Sequence, residues 1–193
     1  MKKIILTVFA ASSLLLYSTP SFAIVSVSVG MPMGQTITGK QGGKSFGNVP
    51  DKTGGYFLGV SFLSIGLGID SYTTKFKTGD CNGCWDAKYA AGLKTNMTNI
   101  FYQLPVPVVN LIIGLGTGTT EYVGTSEGKD FSNFFDKGSA TQWYASIGMP
   151  LIPFFDIHLS YRSITSKNIK HKSDGQIDDN SGSVTGLGLA FNF

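Results

Sequence analysis

Large apolar side chains alternate with small or polar ones along much of the chain. Near the carboxyl end, large apolar residues occupy alternate positions at Leu187, Leu189, Phe191 and Phe193, and glycine, alanine and asparagine stand between them. The same alternation runs through residues 25–31 and 111–115. Because successive side chains of a strand point to opposite faces, this pattern predicts β-strands with one apolar face and one small or polar face.

Eight strands follow from this alternation and from the turn signals between the segments. They are predicted near residues 24–33, 54–62, 65–76, 96–106, 111–122, 140–149, 155–166 and 182–193. Short turns are predicted near 63–64, 107–110 and 150–154, and long polar loops at 34–53, 77–95, 123–139 and 168–181. In the second turn Val106 is joined to Leu111, and in the third Pro150 and Pro153 stop the pairing.

The turn at 63–64 is predicted from a change of parity. Apolar residues stand at even positions up to Phe62 and at odd positions from Ile65 onward. A two-residue turn pairs these two residues on one face and Phe57 with Asp70 on the other. Leu-Ser is an unusual sequence for this turn, where Asn-Gly or Asp-Gly is preferred.

Composition decides between a soluble sandwich and a membrane barrel. Charged residues make up 14% of the chain, below the roughly 25% of a soluble domain, and glycine is abundant at 25 residues. Large side chains that face lipid, with small or polar groups inside, are typical of a membrane barrel. The predicted fold is an all-β, eight-stranded antiparallel transmembrane barrel of the outer-membrane type, in which closure leaves no edge in lipid.

The first 23 residues have the features of a signal peptide. A basic start, Met1-Lys2-Lys3, precedes an apolar stretch and the small-residue site Ser21-Phe22-Ala23. Cleavage after Ala23 is predicted, which leaves a barrel domain of residues 24–193; a retained anchor is the alternative. Loss of both leader lysines lowers the formal charge from +3 to +1, so no basic excess indicates a nucleic-acid partner.

The leader, the eight strands and the terminal Phe191-Asn192-Phe193 resemble the small outer-membrane barrels of the OmpA and OmpX type. The resemblance implies a Gram-negative outer membrane, with its lipids, lipopolysaccharide and the barrel assembly machinery as partners. It also implies that Phe193 is the assembly signal, a role compatible with a lipid-facing aromatic of the interfacial girdle. Short turns and longer loops further predict that both mature termini are periplasmic.

Two cysteines, Cys81 and Cys84, flank Asn-Gly in the second long loop. In an oxidising compartment such a pair is predicted to form a local disulfide, since Asn-Gly allows a tight turn. Free thiols, a redox dithiol and half of a metal site are the alternatives. No helix is predicted here to lower a thiol pKa, and a zinc site needs about two further ligands.

Polar residues on the inner face of two predicted strands form the candidate site. They are Asp70, Asp156, His158, Ser160 and Arg162. In a barrel of eight strands such groups are expected to satisfy one another in a filled lumen. The alternative is catalytic: His158-Leu159-Ser160 is similar to the His-x-Ser of barrel lipid A deacylases, with Asp156 as the carboxylate. In that family the pair faces lipid and Asn-Ala follows the serine, whereas here the pair faces inward and Tyr-Arg follows.

A row of glycines also falls on the predicted inner face. It comprises Gly59, Gly66, Gly68, Gly114, Gly116, Gly118, Gly186 and Gly188. We expect Phe57, Tyr72, Phe101 and Phe154 to fill the space above them; if they do not, a narrow aqueous cavity remains.

Three functions are compatible with these features. The first is a structural or surface-interaction role, in adhesion, host contact or envelope integrity, through the four long loops, which carry aromatic residues such as Phe131, Phe134 and Phe135. The second is a small channel for minor solutes, and the third is a lipid A-modifying acyl hydrolase. No cofactor and no metal site are predicted.

Overall fold

The computed structural model describes residues 24–41, 44–46, 50–77, 90–106, 109–126, 128–152 and 154–193. In chain order its strands are β1 (Val25–Gln41), β2 (Lys44–Phe46), β3 (Pro50–Phe62), β4 (Ile65–Phe76), β5 (Ala90–Val106), β6 (Val109–Ser126), β7 (Lys129–Asp130), β8 (Gly138–Ile152), β9 (Phe155–Lys167), β10 (Ile169–Lys170) and β11 (Ile177–Asn192). A 3-10 helix spans Phe131–Asn133. No helix among these residues is long and apolar enough to cross a membrane.

The eight long strands close into a barrel. Each pairs antiparallel with the next long strand along the chain, and β1 pairs with β11 from Ser26–Asn192 to Gln41–Asp178. The short strands β2, β7 and β10 extend the sheet beyond this ring by pairing with β1, β6 and β11. The predicted eight-stranded antiparallel barrel is therefore confirmed.

The register of the first hairpin agrees with the parity argument. Phe62 pairs with Ile65, and Phe57 pairs with Asp70. The turn residues Leu63 and Ser64 both have positive φ angles, 46° and 73°. Two successive left-handed residues match the right-handed twist of the flanking strands, so the turn forms here although neither residue is glycine or asparagine.

The strands extend further into the predicted loops than the alternation indicated. The predicted loop 34–53 is mostly strand, because β1 continues to Gln41 and β3 begins at Pro50. β5, β6 and β11 likewise extend into the loops predicted at 77–95, 123–139 and 168–181. Beyond the apolar region the outward faces of these strands carry mostly small, polar or charged residues, among them Thr36 of β1, Lys94 of β5 and Ser181 of β11, so the apolar pattern stops before the hydrogen-bonded ladder does.

Two turns differ in detail from the prediction. Val106 pairs with Val109 and not with Leu111, whose partner is Leu104, so only two residues separate β5 from β6. In the third turn pairing continues past Pro150 across a bulge to Ile152 and Phe155.

Phe154 was predicted in the lumen but lies in this third turn. Its φ is 76° and it is 65% exposed, because the turn carries it out of the strand alternation.

The outward face of the barrel is an apolar belt. Large side chains there remain widely exposed, including Leu67 and Leu115, both at 62%. The other members include Val27, Val29, Met31, Leu58, Val60, Ile69, Ile100, Tyr102, Ile113, Trp143, Ile147, Leu159, Tyr161, Leu187 and Leu189. A continuous apolar surface of this kind needs an apolar surrounding or partner.

Candidate functional site: the barrel lumen

Aromatic rings fill the lumen by lying over glycines of neighbouring strands. A Cβ added at Gly66 would collide with the Phe101 ring, and one at Gly114 would collide with the Tyr144 ring. Phe57, Tyr72 and Phe101 are all buried in the lumen. The glycines, which have no side chain, therefore leave room for these rings. Tyr144, which was not predicted to fill the lumen, contributes as well.

A middle polar layer crosses the lumen around Asp70. The Asp70 Oδ2 atom of β4 accepts hydrogen bonds from Arg162 Nε of β9 at 3.1 Å and from Gln142 Nε2 of β8 at 2.6 Å. Gln142 Nε2 also donates to Asn99 Oδ1 of β5 at 2.5 Å. Side chains from four strands are thus connected across the barrel.

Several contacts offset the cost of burying the positive charge of the Arg162 guanidinium. Its Cζ lies 3.6 Å from the centroid of the Phe57 ring and 4.8 Å from that of Tyr144. Its Nη1 donates to Ser160 Oγ at 2.5 Å. Ion pairing with Asp70, cation–π contact and this hydrogen bond together allow a charge to lie almost fully buried.

A second polar layer lies nearer the chain termini, around Asp156. Its Oδ2 atom accepts hydrogen bonds from Asn110 Nδ2 and, at 2.7 Å, from Asn192 Nδ2. Gln103 Nε2 donates to Asn110 Oδ1 at 3.2 Å. Like the middle layer, it connects side chains of four strands, here β5, β6, β9 and β11, inside the barrel.

His158 and Ser160 both lie in the lumen, with different hydrogen-bond partners. His158 Nδ1 lies 3.2 Å from Ser146 Oγ, and its Nε2 is 3.8 Å from Asp156 Oδ2. Ser160 Oγ donates to the Gly186 carbonyl at 3.2 Å while it accepts from Arg162. Both residues are buried, and neither is part of the lipid-facing surface on which the deacylase similarity depends.

A cavity of about 50 Å³ adjoins the middle polar layer, and Asp70, Asn99 and Arg162 of that layer are among its lining residues. Its lining includes Ser28, Phe57, Phe101, Ser146 and His158. A volume of this size has room for about three water molecules. The predicted lumen space is therefore mostly filled, and the small cavity that remains is lined by both apolar and polar side chains.

A third group closes the end opposite the termini. Asp178 Oδ2 lies 3.1 Å from His171 Nε2 and accepts a hydrogen bond from Tyr122 Oη at 3.3 Å. Asn180 Nδ2 donates to Tyr122 Oη at 2.8 Å. The Phe135 ring packs edge-on against Tyr122, with 4.8 Å between the ring centroids. We call these five residues the loop-end cluster.

Two connections meet over this cluster. Lys172 N donates to the Phe134 carbonyl at 2.9 Å, and Asp136 N donates to the Lys170 carbonyl at 2.8 Å. The loop aromatics are therefore not all presented outward: Phe131 is buried and Phe135 is partly buried, while Phe134 is exposed. Their apolar rings cover the mouth of the barrel.

Several lumen residues that complete these layers were not predicted from the sequence. They are Asn99, Gln103, Asn110, Gln142, Tyr122, Asp178 and Asn180, whereas Asn192 was already expected on the inner face from the alternation. Asn99 and Gln142 stand in phase with the inward residues Phe101 and Tyr144, so strand parity was the signal that would have found them. Tyr122 ends a predicted strand, and Asp178 and Asn180 lie in a predicted loop, where no parity was assigned.

No protein-family model matches the sequence, and no curated protein sequence matches it. The structure is similar to Neisserial surface protein A, with a TM-score of 0.58 and 12% identity over 88% of this chain and 96% of that one. It is also similar to outer membrane protein W of E. coli (TM-score 0.51, 11% identity, 89% and 98% covered) and to the outer membrane protein AlkL (0.56, 9%, 91% and 93%). The fold is that of a small eight-stranded outer-membrane barrel. Identities this low show a shared fold and nothing finer.

Three predicted features of this outer-membrane barrel stay predictions. Residues 1–23 and the Cys81–Cys84 pair lie outside the described residues. Phe193 is exposed, and its backbone exchanges two hydrogen bonds with Val25, at 2.8 and 3.1 Å. Its position at the seam between β1 and β11 is compatible with an assembly signal but does not test that role.

Proposed function

We propose that this chain is a structural or surface-interaction protein of the Gram-negative outer membrane. The observation that carries the proposal is the filled lumen, with two polar layers and the loop-end cluster. A filled barrel anchors the protein, and the outside of the loop end is the polar surface that remains for contact with other molecules.

The apolar surface supports the membrane location. The belt continues around the turn end, where Leu63, Leu151, Ile152 and Phe193 are each about 60% exposed or more. Among the described residues this end carries no exposed charged side chain, whereas exposed lysines and acids gather at the loop end. This asymmetry supports a placement with the termini periplasmic and the loops outside the cell.

The loop end offers a surface suited to adhesion, host contact or envelope integrity. Lys172 Nζ donates to the Ser132 carbonyl at 2.8 Å and lies 3.7 Å from Asp136 Oδ1, which ties two connections together. A surface held in this way has less conformational entropy to lose when it binds a partner. The name of Neisserial surface protein A states a surface location for that protein, in line with the one proposed here.

Surface labelling of intact cells tests this placement. An epitope inserted after Ser173, in the exposed turn that precedes Gly175, is expected to be detected on intact cells. The same epitope inserted between Leu63 and Ser64 is expected to be detected only after the outer membrane is permeabilised. The reverse pattern would overturn the proposed orientation. Absence of both epitope-tagged proteins from the outer-membrane fraction would overturn the proposed location.

Single-channel recording separates this role from the channel alternative. Because Arg162, Asp70 and Gln142 bridge the lumen, the purified protein is expected to show no conductance above that of the empty planar bilayer. The matched control is heat-denatured protein added in the same detergent. Discrete steps with native protein alone would favour a channel over the structural role.

A further inference from the structure

Three lysines lie close together on the outward face of neighbouring strands. Lys52 of β3 and Lys75 of β4 are direct partners in the register. Lys94 of β5 pairs with Thr73, which places it diagonally across from Lys75. Direct partners have Cβ atoms about 5 Å apart and diagonal neighbours about 7–8 Å. We call Lys52, Lys75 and Lys94 the lysine triad.

The charges of the triad are not compensated within the described part of the protein. No ion pair there includes any of the three. Glu121 pairs in register with Lys94, but its Oε2 atom lies 2.9 Å from Lys137 Nζ. Like charges directly opposite each other destabilise a sheet, so among the described residues the arrangement is suited to binding an anion.

Other charges nearby do not cancel the triad. Asp51 is next to Lys52 but sits at a bulge, where the register shifts between Pro50 and Lys52. Lys77, just beyond β4, is exposed and adds a further positive charge. Among the described residues, the net charge around the triad is therefore positive.

The surface below the triad changes in a definite order. On the outward face of β4, Ser71 and Thr73 follow Ile69. On the antiparallel strand β5, Thr98 and Asn96 lie between the apolar belt and Lys94. Ser71 Oγ donates to Asn96 Oδ1 at 2.8 Å. From the apolar belt towards the loops, the surface is first apolar, then rich in hydroxyl and amide groups, and finally cationic.

We propose that the triad binds the phosphate groups of a lipopolysaccharide headgroup. Acyl chains suit the belt, sugar hydroxyls suit the serine, threonine and asparagine groups, and phosphates suit the lysines. Among the other described residues near the loop end, outward cations do not pair with one another in the register: Lys167 of β9, for example, lies opposite the neutral Ser139, so the cluster of three lysines is local to β3–β5. This inference rests on the proposed outer-membrane location with the loop end outside.

Binding of fluorescent lipopolysaccharide to the whole protein in phosphatidylcholine nanodiscs tests the site. The variant Lys52→Gln/Lys75→Gln/Lys94→Gln is expected to bind about tenfold more weakly, because three cations near an anionic headgroup are lost. The matched control, Lys129→Gln/Lys167→Gln/Lys170→Gln, removes the same charge from other exposed positions and is expected to bind like the wild type. Dephosphorylated lipopolysaccharide should bind the wild-type protein about as weakly as intact lipopolysaccharide binds the triad variant.

Several outcomes would overturn the inference. They are unchanged binding by the triad variant, an equal loss in the control variant, and equal binding of dephosphorylated lipopolysaccharide. Equal competition by phosphatidylglycerol or by inorganic phosphate would instead assign the site to another phosphate source. A heat-dependent gel shift checks that each variant is folded, and the dephosphorylated ligand tests the inference without any variant.

The two proposals fail in different ways. Wild-type protein that does not enter nanodiscs, or an epitope pattern opposite to the expected one, would overturn the proposed function. Wild-type protein that inserts and passes the epitope test, but binds independently of the triad, would overturn this inference alone.

Discussion

Replacement of Arg162 by alanine is expected to destabilise the barrel by about 3–5 kcal/mol, since it leaves a buried charge without its partner. Asp70 is 3% exposed, and its carboxylate would retain only the hydrogen bond from Gln142. The cation–π contact with the Phe57 ring would be lost as well. Urea unfolding of protein refolded into lipid vesicles, followed by tryptophan fluorescence, measures the change.

Two further variants separate the buried ion pair from a general effect of charge. Removing both charges, in Asp70→Asn/Arg162→Met, is expected to recover a large part of the loss because no charge is left unpaired. Lys137→Gln breaks the Glu121 ion pair at an exposed position and should cost less than about 1 kcal/mol. A loss below about 1 kcal/mol in Arg162→Ala would show that the middle layer does not stabilise the barrel.

Gly118→Ala is expected to cost about 3 kcal/mol or to prevent refolding, because a Cβ at this position meets the backbone of the adjacent strand. The atoms it would meet are the Asn96 carbonyl oxygen and the Met97 Cα of β5. Backbone atoms cannot rotate aside as a side chain can, so the two strands would have to separate locally. The same unfolding measurement applies, together with the yield of the heat-modifiable form.

Two further glycine variants test whether close backbone contact is the cause of the loss in stability. Gly54 has no atom within 4 Å of an added Cβ, so Gly54→Ala is expected to leave the stability within about 0.5 kcal/mol of the wild-type value. Gly182 meets the backbone of Thr36 in the way that Gly118 meets Asn96, and its alanine variant should be similarly destabilised. Equal effects at Gly54 and Gly118 would mean that strand propensity, and not close backbone approach, decides the outcome.

The sequence alone determined which face of each strand is apolar and where the first hairpin turns. Alternation is a local property, set by the environment on each side of the strand, so it can be read from a few residues. The same parity places Asp70, Asp156, His158, Ser160 and Arg162 in the lumen, where the structure also has them. The pairing of Phe62 with Ile65 followed in the same way.

Only the tertiary structure decided which of these residues meet. Asp70 and Arg162 are 92 residues apart in the chain, on strands that are not neighbours. Their contact depends on the tilt and stagger with which all eight strands close into the barrel. This is a global property that cannot be derived from any single segment of the sequence. The ends of the strands could not be predicted from the sequence for a different reason. Apolar alternation stops where the apolar belt stops, whereas backbone hydrogen bonding between strands continues into the segments predicted as polar loops.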